Sequence, residues 1–169
     1  MLAFTRVSLE YQEVLGRKNA MLSAEKQLIF RLGGVGFLLK LEHLIEIVEP
    51  VALRIDPARS DISRAIVCAL HFRGTWIAAV DPTLKMNLQP SRPLRQRTAL
   101  VLEGNEGRWA ILVDRTVSLV ATEKLQPCEI TQLLKVQAVG CYAQVKLLDN
   151  EPLVEFEAAN FYGTTSIPA

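Results

Sequence analysis

The most constraining feature of the chain is a pattern that occurs twice. Leu28-Ile29-Phe30-Arg31-Leu32 is a short apolar run, stopped by Gly33-Gly34 and answered by Phe37-Leu38-Leu39-Lys40-Leu41. Two apolar runs on either side of a glycine turn predict a β-hairpin. The same shape returns as Thr98–Glu103, a Gly104-Asn105-Glu106-Gly107 turn and Trp109–Val113. Sliding the sequence along itself until Leu28 falls on Leu100 also sets Phe37 on Trp109, Glu42 on Asp114, Val48 on Val120, Leu53 on Leu125 and Val67 on Val139. Identities in this overlap are too few to carry weight. The recurring order of hairpin, polar step, apolar run and later strand does carry it, and the unit is longer than a solenoid repeat. The chain is therefore expected to hold two copies of a small β-lobe.

Each copy is expected to end in a second strand pair. Ile66–Leu70 and Trp76–Val80 flank Phe72-Arg73-Gly74-Thr75, while Ala138–Val145 and Leu153–Phe156 flank Asp149-Asn150-Glu151-Pro152. Asp81 and Glu157 close the copies at matching places. This gives lobes over residues 28–84 and 98–162. Between them, Lys85 to Arg97 carries Pro90, Pro93, Arg92 and Arg95, and no acid occurs from Pro82 to Leu102. Such a stretch could meet phosphates or an acidic partner, but is expected to be a solvated connector. Upstream, Tyr11, Val14, Leu15, Lys18, Met21 and Leu22 recur at three- and four-residue steps, which predicts a helix over 8–26 within an extension of residues 1–27. Gly16 weakens it, so the helix is expected to lie across the protein's own body.

The chain has 169 residues, of which 50% are hydrophobic and 22% charged, with a formal net charge of +1. That excludes intrinsic disorder, which needs low hydrophobicity and high net charge. No charge excess calls for nucleic acid. No apolar run is long enough for a membrane-spanning helix, and Arg6 and Glu10 interrupt the start before a signal-peptide core can form. Cys68, Cys128 and Cys141 are odd in number and widely spaced, as expected of thiols in a reducing cytoplasm.

Catalytic signatures are missing. His43 and His71 are the only histidines, and neither belongs to a zinc pattern. Gly34-Val35-Gly36 begins a dinucleotide fingerprint, but Leu39 stands at the third glycine and a strand follows, so no helix end could hold a pyrophosphate. Asp56 with Asp61 and Glu42 with Glu46 are carboxylate pairs in hydrophilic contexts, and read as surface charge rather than acid–base machinery. Cys68, inside Ile66-Val67-Cys68-Ala69-Leu70, reads as a core residue. No enzyme, cofactor or metal is expected.

Four segments together resemble the CheW-like adaptors of bacterial chemotaxis. They are the Leu28–Leu41 hairpin with Phe-Arg-Leu-Gly-Gly at 30–34, Leu44-Ile45-Glu46-Ile47, the run Leu70-His71-Phe72-Arg73-Gly74-Thr75-Trp76-Ile77-Ala78-Ala79-Val80-Asp81, and Gly107–Asp114. The third is similar to the family's asparagine-x-arginine-glycine turn and following strand, with His71 in place of the asparagine and Ala78 in place of a proline. The resemblance implies a mainly β fold of two SH3-like five-stranded barrels, a non-catalytic scaffold, and two partners. These are the regulatory domain of a CheA-type histidine kinase and the cytoplasmic tip of a chemoreceptor. Leu44, Glu46, Arg73 and Gly74 are the implied partner-binding residues, with Asp81 a structural turn residue. Two alternatives stay open at this point. One is a CheW-like scaffold for surface motility or another two-component pathway; the other is a β-barrel module binding peptide or nucleic acid through Arg92–Arg97.

Overall fold

The computed structural model describes residues 6–16, 26–128, 142–164 and 167. Helix α1 (Arg6–Gly16) precedes β1 (Lys26–Leu32), β2 (Val35–Lys40), β3 (Leu44–Val48), β4 (Ile55–Asp56), β5 (Ile66–Phe72) and β6 (Thr75–Val80). A one-turn helix, α2 (Thr83–Met86), leads into β7 (Thr98–Gly104) and β8 (Gly107–Val113). The chain continues through β9 (Arg115–Ala121), β10 (Gln126–Cys128), β11 (Tyr142–Leu148) and β12 (Glu151–Phe156). The fold is mainly β, with two sheets of six strands. The sixth strand of each sheet is a short edge piece, β10 in one and β4 in the other.

The repeat is real, but the sheets do not follow it. One sheet has the order β10-β11-β12-β2-β1-β9 and the other β3-β7-β8-β6-β5-β4. Laying β1 on β7, and so on through β6 on β12, converts one order into the other. The registers agree too: Leu28 faces Leu39 and Leu119, while Leu100 faces Ile111 and Ile47. The hairpins are exchanged, so β1–β2 joins the C-terminal strands and β7–β8 joins β3–β6. The contiguous lobes expected at 28–84 and 98–162 therefore do not each form a sheet. Sequence periodicity reports which segments are equivalent; sheet membership depends on which strand edges meet, here β2 with β12 and β6 with β8, both parallel.

Both hairpins are apolar on two faces because both faces are buried. Leu28, Phe30, Leu32, Phe37 and Leu39 point into a core between the sheets, where they meet Leu100, Leu102, Trp109, Ile111 and Val113. Ile29 and Leu38 point the other way, to a small core with Val120, Leu125 and Leu153. In the second sheet Ala99, Val101, Ala110 and Leu112 do the same with Cys68 and Leu70. Two-sided burial explains why the runs are continuous rather than alternating. Each large side chain placed there contributes about 1.5–3 kcal/mol.

Helix α1 lies across the body as expected. Val7 and Tyr11 enter the central core, the Tyr11 hydroxyl donates to the Leu44 carbonyl, and Ser8 donates to Glu49 at 3.0 Å. The helix thus covers β9 and β3, the edge strands of the two sheets, and blocks pairing with another chain there. Of the rest of the expected 8–26 helix, residues 17–25, with Lys18, Met21 and Leu22, lie outside the described residues, as do residues 138–141 of the strand expected over 138–145, and Lys26 is not helical but opens β1, where it pairs with Ala121.

Candidate functional site

The β5–β6 hairpin turns on Arg73 and Gly74, with φ of 47° and 84°. Positive φ at both central positions marks a type I′ turn, whose twist matches the strands it joins. Gly74 meets that demand without strain, whereas Arg73 does so against the preference of its Cβ. The Thr75 hydroxyl donates to the Phe72 carbonyl at 3.1 Å and closes the turn. Arg73 is held outward, 57% exposed, with its guanidinium 5.0 Å from the Phe72 ring centre.

Glu46 completes the site. Arg73 donates to its carboxylate at 2.7 Å, across 27 residues of sequence. Two residues that the family resemblance singles out are therefore one ion pair. In energetic terms an exposed pair contributes at most about 1 kcal/mol to stability, so its geometry matters more as a surface feature than as a brace.

Leu44 does not belong to this surface. It is 5% exposed and packs in the central core, leaving only its carbonyl to meet Tyr11. Strict strand alternation would set Leu44 and Glu46 on one face. A β-bulge at Ile45 breaks it: Leu44 faces Leu102 but Glu46 faces Val101. The extra residue sends both Leu44 and Ile47 into the core and frees Glu46 to swing toward the β5–β6 turn. The equivalent bulge in the other half falls at Val117 in β9, but Ser118 follows it and the matching turn is Asp149-Asn150. The Arg–Glu pair thus belongs to one half of the duplication only.

Asp81 braces the turn on which it stands. Buried after β6, it accepts from the Thr83 amide at 3.0 Å and the Thr83 hydroxyl at 2.6 Å. Arg97 donates to its second oxygen at 2.6 Å, and both side chains are buried. Loss of either partner would strand a charge, at a cost of about 3–5 kcal/mol. Sequence reading gave no sign of this pairing, since Arg97 sits in a run of exposed basic residues. Trp76 was also missed: half-exposed beside the turn, it takes the Arg59 guanidinium 5.6 Å from its ring centre and the His71 ring 5.1 Å away.

A cleft of about 250 Å³ lies between the sheets, lined by Lys40, Glu42, His43, Glu103, Glu155 and Glu157 among others. The described residues include no cluster of three or more histidines, cysteines or carboxylates suited to a metal. Burial pushes the Cys68 thiol up to about 12, with the Asp56 charge adding to the shift and Arg97 opposing it, so it stays protonated. Asp56 and Asp61 sit in local turns, each paired with an arginine three residues on. Hydrogen bonding from Ser63 lowers the Asp61 carboxyl. No described helix is long and apolar enough to cross a membrane.

The family model described as CheW-like domain matches residues 26–152. The chain belongs to the CheW-like family. Among solved structures, the scaffolding protein TtCheW from Thermoanaerobacter tengcongensis superposes with a TM-score of 0.63 at 13% identity, covering 82% of this chain and 87% of that one. At that identity the likeness speaks for the fold. No curated protein matches in sequence. The CheW-like match begins at β1, so helix α1 lies ahead of it.

Proposed function

We propose that this CheW-like chain is a non-catalytic cytoplasmic adaptor that couples a CheA-type histidine kinase to the cytoplasmic tips of chemoreceptors, with the Arg73–Glu46 pair at its docking surface. The observation that supports this most is the pair itself. An arginine fixed on a tight turn, half wrapped on Phe72 and aimed by a carboxylate, enters a complex with little side-chain freedom left to lose. Arginine and tryptophan dominate the energetic centres of protein interfaces, and Trp76 stands beside it. Gly74 keeps the turn narrow enough for a partner to approach the guanidinium.

Arg73→Ala and Glu46→Ala test the reading in pull-down titrations with the kinase regulatory domain and with a receptor-tip fragment. Arg73→Ala is expected to weaken at least one of these associations about 30-fold, the scale of a central interface residue. Glu46→Ala is expected to weaken the same association less, because it loosens Arg73 without removing it. Melting temperatures should stay near that of the parent protein. Unchanged affinity for both partners in both variants would overturn the assignment.

A further inference from the structure

The basic stretch between the copies takes no part in the site above, and it is not the solvated connector its sequence suggests. Its backbone is held directly by one buried carboxylate, Asp114, and through Arg97 by a second, Asp81. Asp114 accepts from the Ser91 amide at 3.0 Å and the Arg92 amide at 3.2 Å, and also from the Gly33 amide at 2.8 Å. Arg97, anchored on Asp81, donates through Nε to the Arg92 carbonyl at 2.8 Å. Leu94 packs against the core of the second sheet, as does Leu53. The 3-10 turns Pro50–Ala52 and Leu94–Gln96 lie against each other.

Asp114 and Asp81 are thus turned inward, and the nearby Glu49 carboxylate accepts from the Ser8 and Thr98 hydroxyls. Arg54, Arg92 and Arg95 remain exposed, and among the described residues no ion pair reaches them. Val51, 71% exposed, sits among them. On a molecule of net charge +1 this is a local excess of positive charge on a fixed frame, with an apolar residue at hand. Rigid placement lowers the entropy lost on binding, and unneutralised arginines favour carboxylates.

We propose that this platform binds an acidic segment of a partner protein, with carboxylates on Arg92 and Arg95 and an apolar side chain on Val51. Its contact residues, Arg92, Arg95 and Val51, are not those of the Arg73–Glu46 pair, and the proposal does not depend on that reading. Neither Pro50–Arg54 nor Lys85–Arg97 contains an aromatic residue on which a base could stack, which favours peptide over single-stranded nucleic acid.

The test uses the full chain and a labelled peptide of alternating glutamate and leucine, read by fluorescence anisotropy at low salt. The double variant Arg92→Glu, Arg95→Glu is expected to bind about tenfold more weakly, as two surface charge contacts would give. It should in turn prefer a peptide of alternating lysine and leucine, and its melting temperature should match that of the parent protein, which separates lost contacts from unfolding. Arg115→Glu, an exposed charge on β9, should leave binding unchanged. Equal loss in Arg115→Glu, no loss in the double variant, or tighter binding of single-stranded DNA than of the acidic peptide would each overturn the proposal. Kinase-fragment affinity in the double variant should match the parent protein, which keeps this outcome distinct from that of the Arg73 test.

Discussion

At the scale of single residues, this chain separates groups that hold the fold from groups that face outward, and the separation does not follow residue type. Arg97 is buried and structural while Arg73 is exposed; Asp81 and Asp114 grip backbone while Glu46 aims a surface arginine. Cys68 shows how burial sets chemistry. Its folded pKa is raised from 9.0 to about 12, so the folded state favours the thiol. The resulting stabilisation is complete below the unfolded value and lost as pH climbs from about 9 toward 12. Burial, with Glu46 contributing, also raises the Tyr11 phenol, which adds to the loss at the top of that window. Melting temperature followed from pH 8 upward should fall, and Cys68→Ala should flatten the fall; parallel declines in parent and variant would contradict this account of the thiol.

At the scale of elements, helix α1 does two jobs: it fills the central core and covers the exposed edges of β3 and β9. Tyr11→Ala should cost about 3–5 kcal/mol, as for other large core aromatics. Tyr11→Phe should cost only about 1 kcal/mol, the worth of one hydrogen bond to the Leu44 carbonyl. Chemical denaturation of the two variants checks both values. If Tyr11→Ala melts like the parent, the helix does not brace the body and is free for other contacts. Elements were also where the sequence spoke most and least clearly. Glycine-broken apolar runs announced both hairpins, since an unbroken apolar stretch next to a φ-positive turn has few other solutions. The Arg73-Gly74 turn was equally plain. The Ile45 bulge was not, because Leu44-Ile45-Glu46-Ile47-Val48 reads as an ordinary strand and a bulge depends on the partner strand β7. That one residue is why Leu44 was expected on the surface and why the Arg73–Glu46 pairing was not foreseen.

At the scale of the whole molecule, the duplication is exchanged, and that has mechanical consequences. Each sheet draws strands from both halves of the chain, and the two sheets share the core built around Phe30, Phe37 and Trp109. Neither sheet can unfold while the other stays intact. Denaturation of a Trp76→Phe variant, in which Trp109, buried between the sheets, is the remaining tryptophan, should therefore give one coincident transition by fluorescence and by far-ultraviolet circular dichroism. Two separated transitions would mean that the sheets are independent units. A rigid pair of sheets is also what a scaffold needs, because it fixes the distance and angle between surfaces that grip different proteins. The symmetric frame carries the Arg73–Glu46 pair once, with no counterpart in the other half.

Docking at the Arg73 turn stands or falls on where a partner lands. Backbone hydrogen exchange of the full chain should be mapped with and without the regulatory domain of a CheA-type kinase, and again with a chemoreceptor-tip fragment. At least one partner should slow exchange around Glu46 in β3 and at the β5–β6 turn from Phe72 to Trp76, and that protection should vanish in Arg73→Ala. Binding that leaves both segments as exposed as in the free chain, with protection confined to other strands, would contradict it.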